Sequence, residues 1–181
     1  MDIWNQEKYI KAWKFACLVH NGQLVPGTEI PYINHIGNVA METMAAIAHE
    51  KDIKNPDLLV VCALLHDVIE DTDSTYDEIE REFGMEVADG VLALSKNTNL
   101  PSKIEQMKDS IERIQKQPKE VWMVKLSDRI TNLQSPPVHW DKEKIKKYRN
   151  EAMVILEKLG EATPYLAKRL KMKIAEYEQY L

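Results

Sequence analysis

Every residue from Leu58 to Leu65 is apolar, and the run is bounded by Asn55-Pro56-Asp57 on one side and by the ionisable His66-Asp67 on the other. A helix written with such a run has no polar face, so it must be covered on all sides. The entry signal is strong. Asn55 can accept from the free amides of a first turn, and Pro56 lacks the amide that would go unpaired there. The run is far shorter than the roughly 20 apolar residues that cross a bilayer, so other parts of the same chain must supply the cover.

The cover is written as helices. Ile10, Trp13, Cys17 and His20 step by three and four and predict a first helix ending at Asn21-Gly22. A loop with Pro26, Gly27 and Pro31 follows. A second helix is expected from near Tyr32, burying Ile36, Val39, Ala40, Met44 and Ile47. Thr75-x-x-Glu78 and Ser102-x-x-Glu105 match the capping box. Gly84 and Gly160 read as stops, Pro118 and Pro164 as first-turn residues, and Pro136-Pro137 as a break between helices. No internal repeat or low-complexity tract is visible. The expectation is an all-α, single-domain helical bundle over residues 1–181, with about eight to ten helices of ordinary length.

Composition narrows the function classes. The only cysteines, Cys17 and Cys62, form neither a disulfide framework nor a C-x-x-C pair, and no apolar leader precedes the first helix. These features predict a cytoplasmic protein without a membrane partner. A net charge of −5 argues against a nucleic-acid partner, which would call for a dominant positive field. Asp67 to Asp89 carries Arg81 as its only base, whereas the chain from Lys142 onward leans basic. Solvated helix faces explain most of this, and a small anionic ligand is compatible with it. Trp13, Trp122 and Met123 read as core or subunit contacts, which leaves a homo-oligomer open.

Chemistry concentrates where the apolar run ends, at His66-Asp67-Val68-Ile69-Glu70-Asp71-Thr72. Unpaired buried carboxylates are costly and call for a cation. On a helix Glu70 lies one turn from His66 and Asp71 one turn from Asp67, so one pair could hold an ion while another faces water. Further donors lie elsewhere: His35 at the start of the second helix, and Asp128 with Asn132 one turn later in a largely apolar segment. Two imidazoles and two carboxylates favour Mn, Fe, Zn, Co or Ni over calcium. Such an ion lowers the pKa of water and polarises a phosphoryl oxygen. Taken singly each residue has a plainer reading: His35 as a core or cap histidine, Asp128 as an ion-pair partner of Lys125 or Arg129, and Glu70 and Asp71 as a helix end.

In these residues the chain resembles the HD-domain metal-dependent phosphohydrolases, and within them the hydrolase domain of RelA/SpoT-type alarmone enzymes, including small stand-alone forms. The resemblance rests on Ala16 to His20 with Gly22-Gln23, Pro31-Tyr32-x-x-His35, Ala63-Leu64-Leu65-His66-Asp67-x-x-Glu70-Asp71-Thr72, Phe83-Gly84 and Val124-Lys125-Leu126-x-Asp128-Arg129-x-x-Asn132. It implies an HD-type bundle and a divalent metal, Mn²⁺ by preference, held by His35, His66, Asp67 and Asp128. Glu70 and Asp71 would be the acidic pair that orients or deprotonates water. Asn132, Tyr148 and Lys96 would contact a nucleotide substrate. The implied reaction removes the 3′-pyrophosphate from (p)ppGpp. The family usually carries a basic pair after the Gly-Gln, and here Leu24-Val25-Pro26 supply no such charge. That departure favours, as an alternative, a nucleotidase or other nucleotide pyrophosphohydrolase of the same superfamily. A catalytically silent nucleotide-binding regulatory module is the alternative of a different class.

Overall fold

The computed structural model describes residues 3–181; residues 1 and 2 of the expected 1–181 domain lie outside the described residues. Helices α1 (Gln6–Val19), α2 (Ile33–His49) and α3 (Pro56–Leu65) come first. The single turn α4 (Val68–Asp71) leads to α5 (Tyr76–Phe83), α6 (Met85–Leu94) and α7 (Lys103–Ile114). Then come α8 (Lys119–Asn132), α9 (Lys142–Leu159) and α10 (Pro164–Glu176).

 The 3₁₀ turns at Gly160–Ala162 and Tyr177–Tyr180 complete the described chain. The all-α expectation holds: among the described residues the only β-type pairing is an isolated bridge between Leu24 and Pro31.

Helix α3 is the core. All of its residues from Leu58 to Leu65 are buried, and α1, α2, α6 and α8 pack around it. Each such Leu or Val side chain stabilises the fold by about 1.5–3 kcal/mol when removed from water. Its start follows the sequence signal, with Asn55 Oδ1 accepting from the Leu58 amide at 3.1 Å and Pro56 in the first turn. The preceding backbone is pinned from α8, because the buried Glu120 carboxylate accepts from the Lys54 and Asn55 amides at 2.9 Å each. Helix α8 is nearly as enclosed as α3, and both α2 and α9 rest on it.

Several sequence expectations are corrected in detail. Helix α1 ends at Val19, with His20 as its cap, and its buried face is Ala12, Ala16 and His20. Ile10 is 55% exposed and Trp13 and Cys17 are only half-buried. The small alanines let α1 approach α3 closely, which rotates the larger side chains toward the edge of the contact. Met44 on α2 is likewise half-buried, whereas Ile36, Val39, Ala40 and Ile47 are buried as expected. Pro118 sits at the cap position rather than in the first turn of α8. The central helix also stops at Leu65, so His66 and Asp67 form a turn rather than continuing it.

Gly90 on α6 explains how closely three helices meet. A methyl group placed there would lie 2.9 Å from Cys62 Sγ on α3 and 3.0 Å from Val121 Cγ2 on α8. Alanine would gain helix propensity, about 0.8–1 kcal/mol, but overpacking costs about 1–3 kcal/mol. Gly90→Ala should therefore lower stability by up to about 2 kcal/mol, read as a reduced denaturant midpoint at unchanged slope.

Candidate functional site

Helices α2, α3 and α8 pack against one another in every pairing, and their converging ends assemble a polar cluster. His35 lies in the first turn of α2, His66 and Asp67 follow α3, and Asp128 lies in the last turn of α8. His35, His66 and Asp128 each offer a donor atom, all within 4.8 Å of one another. The two Nε2 atoms are 3.3 Å apart. His35 Nε2 is 3.5 Å from Asp128 Oδ1 and 3.6 Å from Asp67 Oδ2, and His66 Nε2 is 2.9 Å from Asp67 Oδ2 and 4.0 Å from Asp128 Oδ1. Donors about 2.1 Å from one ion stand about 3.0–3.4 Å apart when adjacent and about 4.2 Å when opposite. The observed spacings fall in or near that range, so these side chains fit a divalent cation.

The local structure turns each donor inward. His66 Nδ1 donates to the Ala63 carbonyl at 2.8 Å, one of the carbonyls left free where α3 ends. That bond fixes the tautomer and leaves Nε2 facing the cluster. Asp128 is held from two sides, with Lys125 Nζ 3.0 Å from Oδ2 and the Asn132 amide donating to Oδ1. The Tyr32 hydroxyl donates to Asp67 Oδ2 at 2.6 Å. Asp71 keeps its one-turn relation to Asp67 despite the break after Leu65, because its amide donates to the Asp67 carbonyl at 2.8 Å.

Charge compensation explains how four such groups share a buried space. Burial opposes charge on His66, but the Asp67 and Asp128 carboxylates outweigh it and raise the imidazole to about 9. Burial also works against ionising Asp67 and Asp128. The imidazoles beside Asp67, and Lys125 together with the imidazoles beside Asp128, nevertheless hold both carboxyls below their usual range. Asp71 moves the other way: partial burial and the charges of Asp67 and Glu70 push its carboxyl up.

The acidic pair is not symmetrical. Glu70 accepts from the Lys96 ammonium at 2.6 Å and from the Lys96 amide at 2.9 Å, so both of its oxygens are engaged. Burial alone would lower the Lys96 pKa, but Glu70 raises it. Asp67, Glu70, Asp71 and Asp128 line a cavity of about 740 Å³ with Lys96, Asn132 and Tyr148. Lys103, Lys125, Arg129, Lys144 and Lys147 line it as well, so the cavity presents many cations around its acids. His35 and His66 are buried beside it.

Thus every site residue expected from the sequence belongs to one neighbourhood. The structure bears out Lys125 as the ion-pair partner of Asp128, at 3.0 Å, and adds Tyr32. A tyrosine three residues before a histidine was the available signal for Tyr32, since such pairs share a helix face. It also shows Arg129 stacked 4.3 Å over the Tyr148 ring and facing Glu151 at 3.6 Å, rather than serving as the partner of Asp128.

The HD domain family matches residues 12–164, and the chain belongs to it. Among its relatives, guanosine-3′,5′-bis(diphosphate) 3′-pyrophosphohydrolase MESH1 of Mus musculus is 32% identical over 173 residues, covering 92% of this chain and 93% of that protein. The human protein of that name is 32% identical over 168 residues, with 90% of each chain covered. Guanosine-3′,5′-bis(diphosphate) 3′-pyrophosphohydrolase of Aquifex aeolicus (strain VF5) is 35% identical over 156 residues, covering 85% of this chain but 21% of that protein. A solved structure of a metazoan ortholog of SpoT that hydrolyzes ppGpp superposes with a TM-score of 0.80 at 27% identity, covering 93% of this chain and 94% of that one.

The His66 shift has a measurable consequence. A ring nitrogen binds a cation only without its proton, and in the metal-free fold His66 keeps that proton up to about 9. Cation affinity should therefore strengthen by up to about tenfold per pH unit from neutrality toward pH 9, then level off. Titration calorimetry in buffers of different ionisation enthalpy should detect the released proton. The same shift acts on metal-free stability with the opposite slope. A raised histidine contributes fully below its unfolded pKa of about 6.5, and that contribution fades as pH rises through about 9.

Proposed function

We propose that this chain is a metal-dependent phosphohydrolase that removes the 3′-pyrophosphate from (p)ppGpp. The observation that carries the reading is the convergence of His35, His66, Asp67 and Asp128 beside a cavity lined by both acids and cations. The relatives named for this reaction support the substrate. In this reading those four residues hold the ion, and the mixed nitrogen and oxygen donors suit Mn²⁺ better than calcium. When bound, the ion supplies Lewis acidity toward a phosphoryl oxygen and lowers the pKa of water.

The chain's own groups do the rest. Asp71, whose carboxyl is pushed up by partial burial and by its acidic neighbours, accepts the proton of the attacking water. The bond broken joins ribose O3′ to the adjacent phosphorus, water oxygen forms the replacement, and the proton returns to O3′. Glu70 holds Lys96 by its ammonium and its amide, which keeps a positive charge at the cavity wall for the phosphates. Arg129, Lys144 and Lys147 add further cations along that wall. Asn132 orients Asp128 in the absence of substrate and contacts the nucleotide when it is present, as does Tyr148.

Base preference has a second reading. Leu24, Val25 and Pro26 do not line the cavity, so a nucleoside pyrophosphate with another base remains the alternative. A reducing cytoplasm fits the free Cys17 and buried free Cys62, and among the described residues no helix is long and apolar enough to cross a membrane.

Protein purified without chelator should contain Mn²⁺ by elemental analysis and release pyrophosphate from ppGpp; orthophosphate release from nucleoside monophosphates instead would select the nucleotidase reading. His66→Ala should lose metal and turnover together. Asp71→Asn should retain the metal while kcat falls by about 10²–10⁴. Glu70→Ala should also retain the metal and lose turnover, and equal metal loss in all three variants would refute the division of roles.

A further inference from the structure

The loop between α1 and α2 carries two residues with no part in the chemistry above, His20 and Gln23. His20 caps α1 and is 3% exposed. Its Nδ1 lies 2.6 Å from Gln23 Oε1, while Gln23 Nε2 lies 3.5 Å from Asp71 Oδ2. The polarity of this chain of contacts follows from its last member. An ionised carboxylate only accepts, so the Gln23 amide must present its NH₂ to Asp71 and its oxygen to His20, and His20 Nδ1 must carry the proton. The remaining His20 nitrogen, Nε2, is buried without a partner.

The backbone makes the arrangement stiff. The Gln23 amide donates to the His20 carbonyl at 3.0 Å, and the Tyr32 amide donates to the Gln23 carbonyl at 2.9 Å. The Leu24 and Pro31 bridge closes the loop just beyond, and the His20 and Tyr32 rings pack with centroids 5.2 Å apart. Helix α1 is itself docked on α3 through Ala12 and Ala16. Gln23 is therefore referenced to the same core that places His66 and Asp67. A contact of 3.5 Å is long, and catalytic hydrogen bonds are commonly long until substrate is bound.

We infer that Gln23, its amide orientation locked by His20, is a positioning residue that aims Asp71 at the attacking water. The inference rests on the proposed role of Asp71 and extends it to groups that never touch substrate.

Steady-state kinetics of the Mn²⁺-loaded protein on ppGpp, and on the chromogenic diester bis(p-nitrophenyl) phosphate, separate this from a structural role. Gln23→Glu keeps the shape and the acceptor for His20 but sets a carboxylate against Asp71. Its kcat should fall about 100-fold with KM within about twofold and with metal content and melting temperature unchanged. Gln23→Ala, which merely frees Asp71, should lose about tenfold in kcat. A residue that served only to tie the loop to His20 would tolerate Gln23→Glu and suffer from Gln23→Ala. Wild-type kcat in Gln23→Glu, or losses confined to KM or accompanied by metal loss, would overturn the inference while leaving the proposed function intact. A wild-type protein inert toward both substrates would overturn both.

Discussion

A helix that is apolar on every side can exist only inside other helices, and that requirement organises this molecule. Covering α3 brings α1, α2, α6 and α8 onto it, which in turn sets the first turn of α2 and the last turn of α8 beside its C-terminal end. The carbonyls freed at that end need donors, and His66 supplies one through its ring. The termination of the core helix and the orientation of a site residue are thus a single event.

The two acids after the break have the same charge and adjacent positions but different surroundings. Glu70 has both oxygens taken by Lys96, while Asp71 faces Gln23 and the carboxylates of its neighbours. Sequence adjacency alone makes them look interchangeable. Their neighbours make one an anchor for a lysine and the other the group better suited to exchange protons. The separation is produced by the α6–α7 loop on one side and the α1–α2 loop on the other, neither of which is close to the acidic pair in sequence.

Much of this was legible in the residues themselves. The Asn55-Pro56 entry, the all-buried run that follows and the capping hydroxyls of Thr75 and Ser102 operate through neighbours in the chain, so local pattern finds them. The site donors were legible because His-Asp after an apolar run has few inexpensive explanations. What local pattern missed depends on distant packing. The rotation of α1 that exposes Ile10 is decided by alanines meeting α3, and the stop at Leu65 by a side-chain bond to a carbonyl three residues back. The engagement of Lys96 by Glu70 joins residues 26 apart. No periodicity encodes such a meeting.

The ring proton of His66 and the ammonium of Lys125 balance the inward carboxylates while no ion is bound. A cation held by these donors would take over a charge balance that the side chains already keep among themselves.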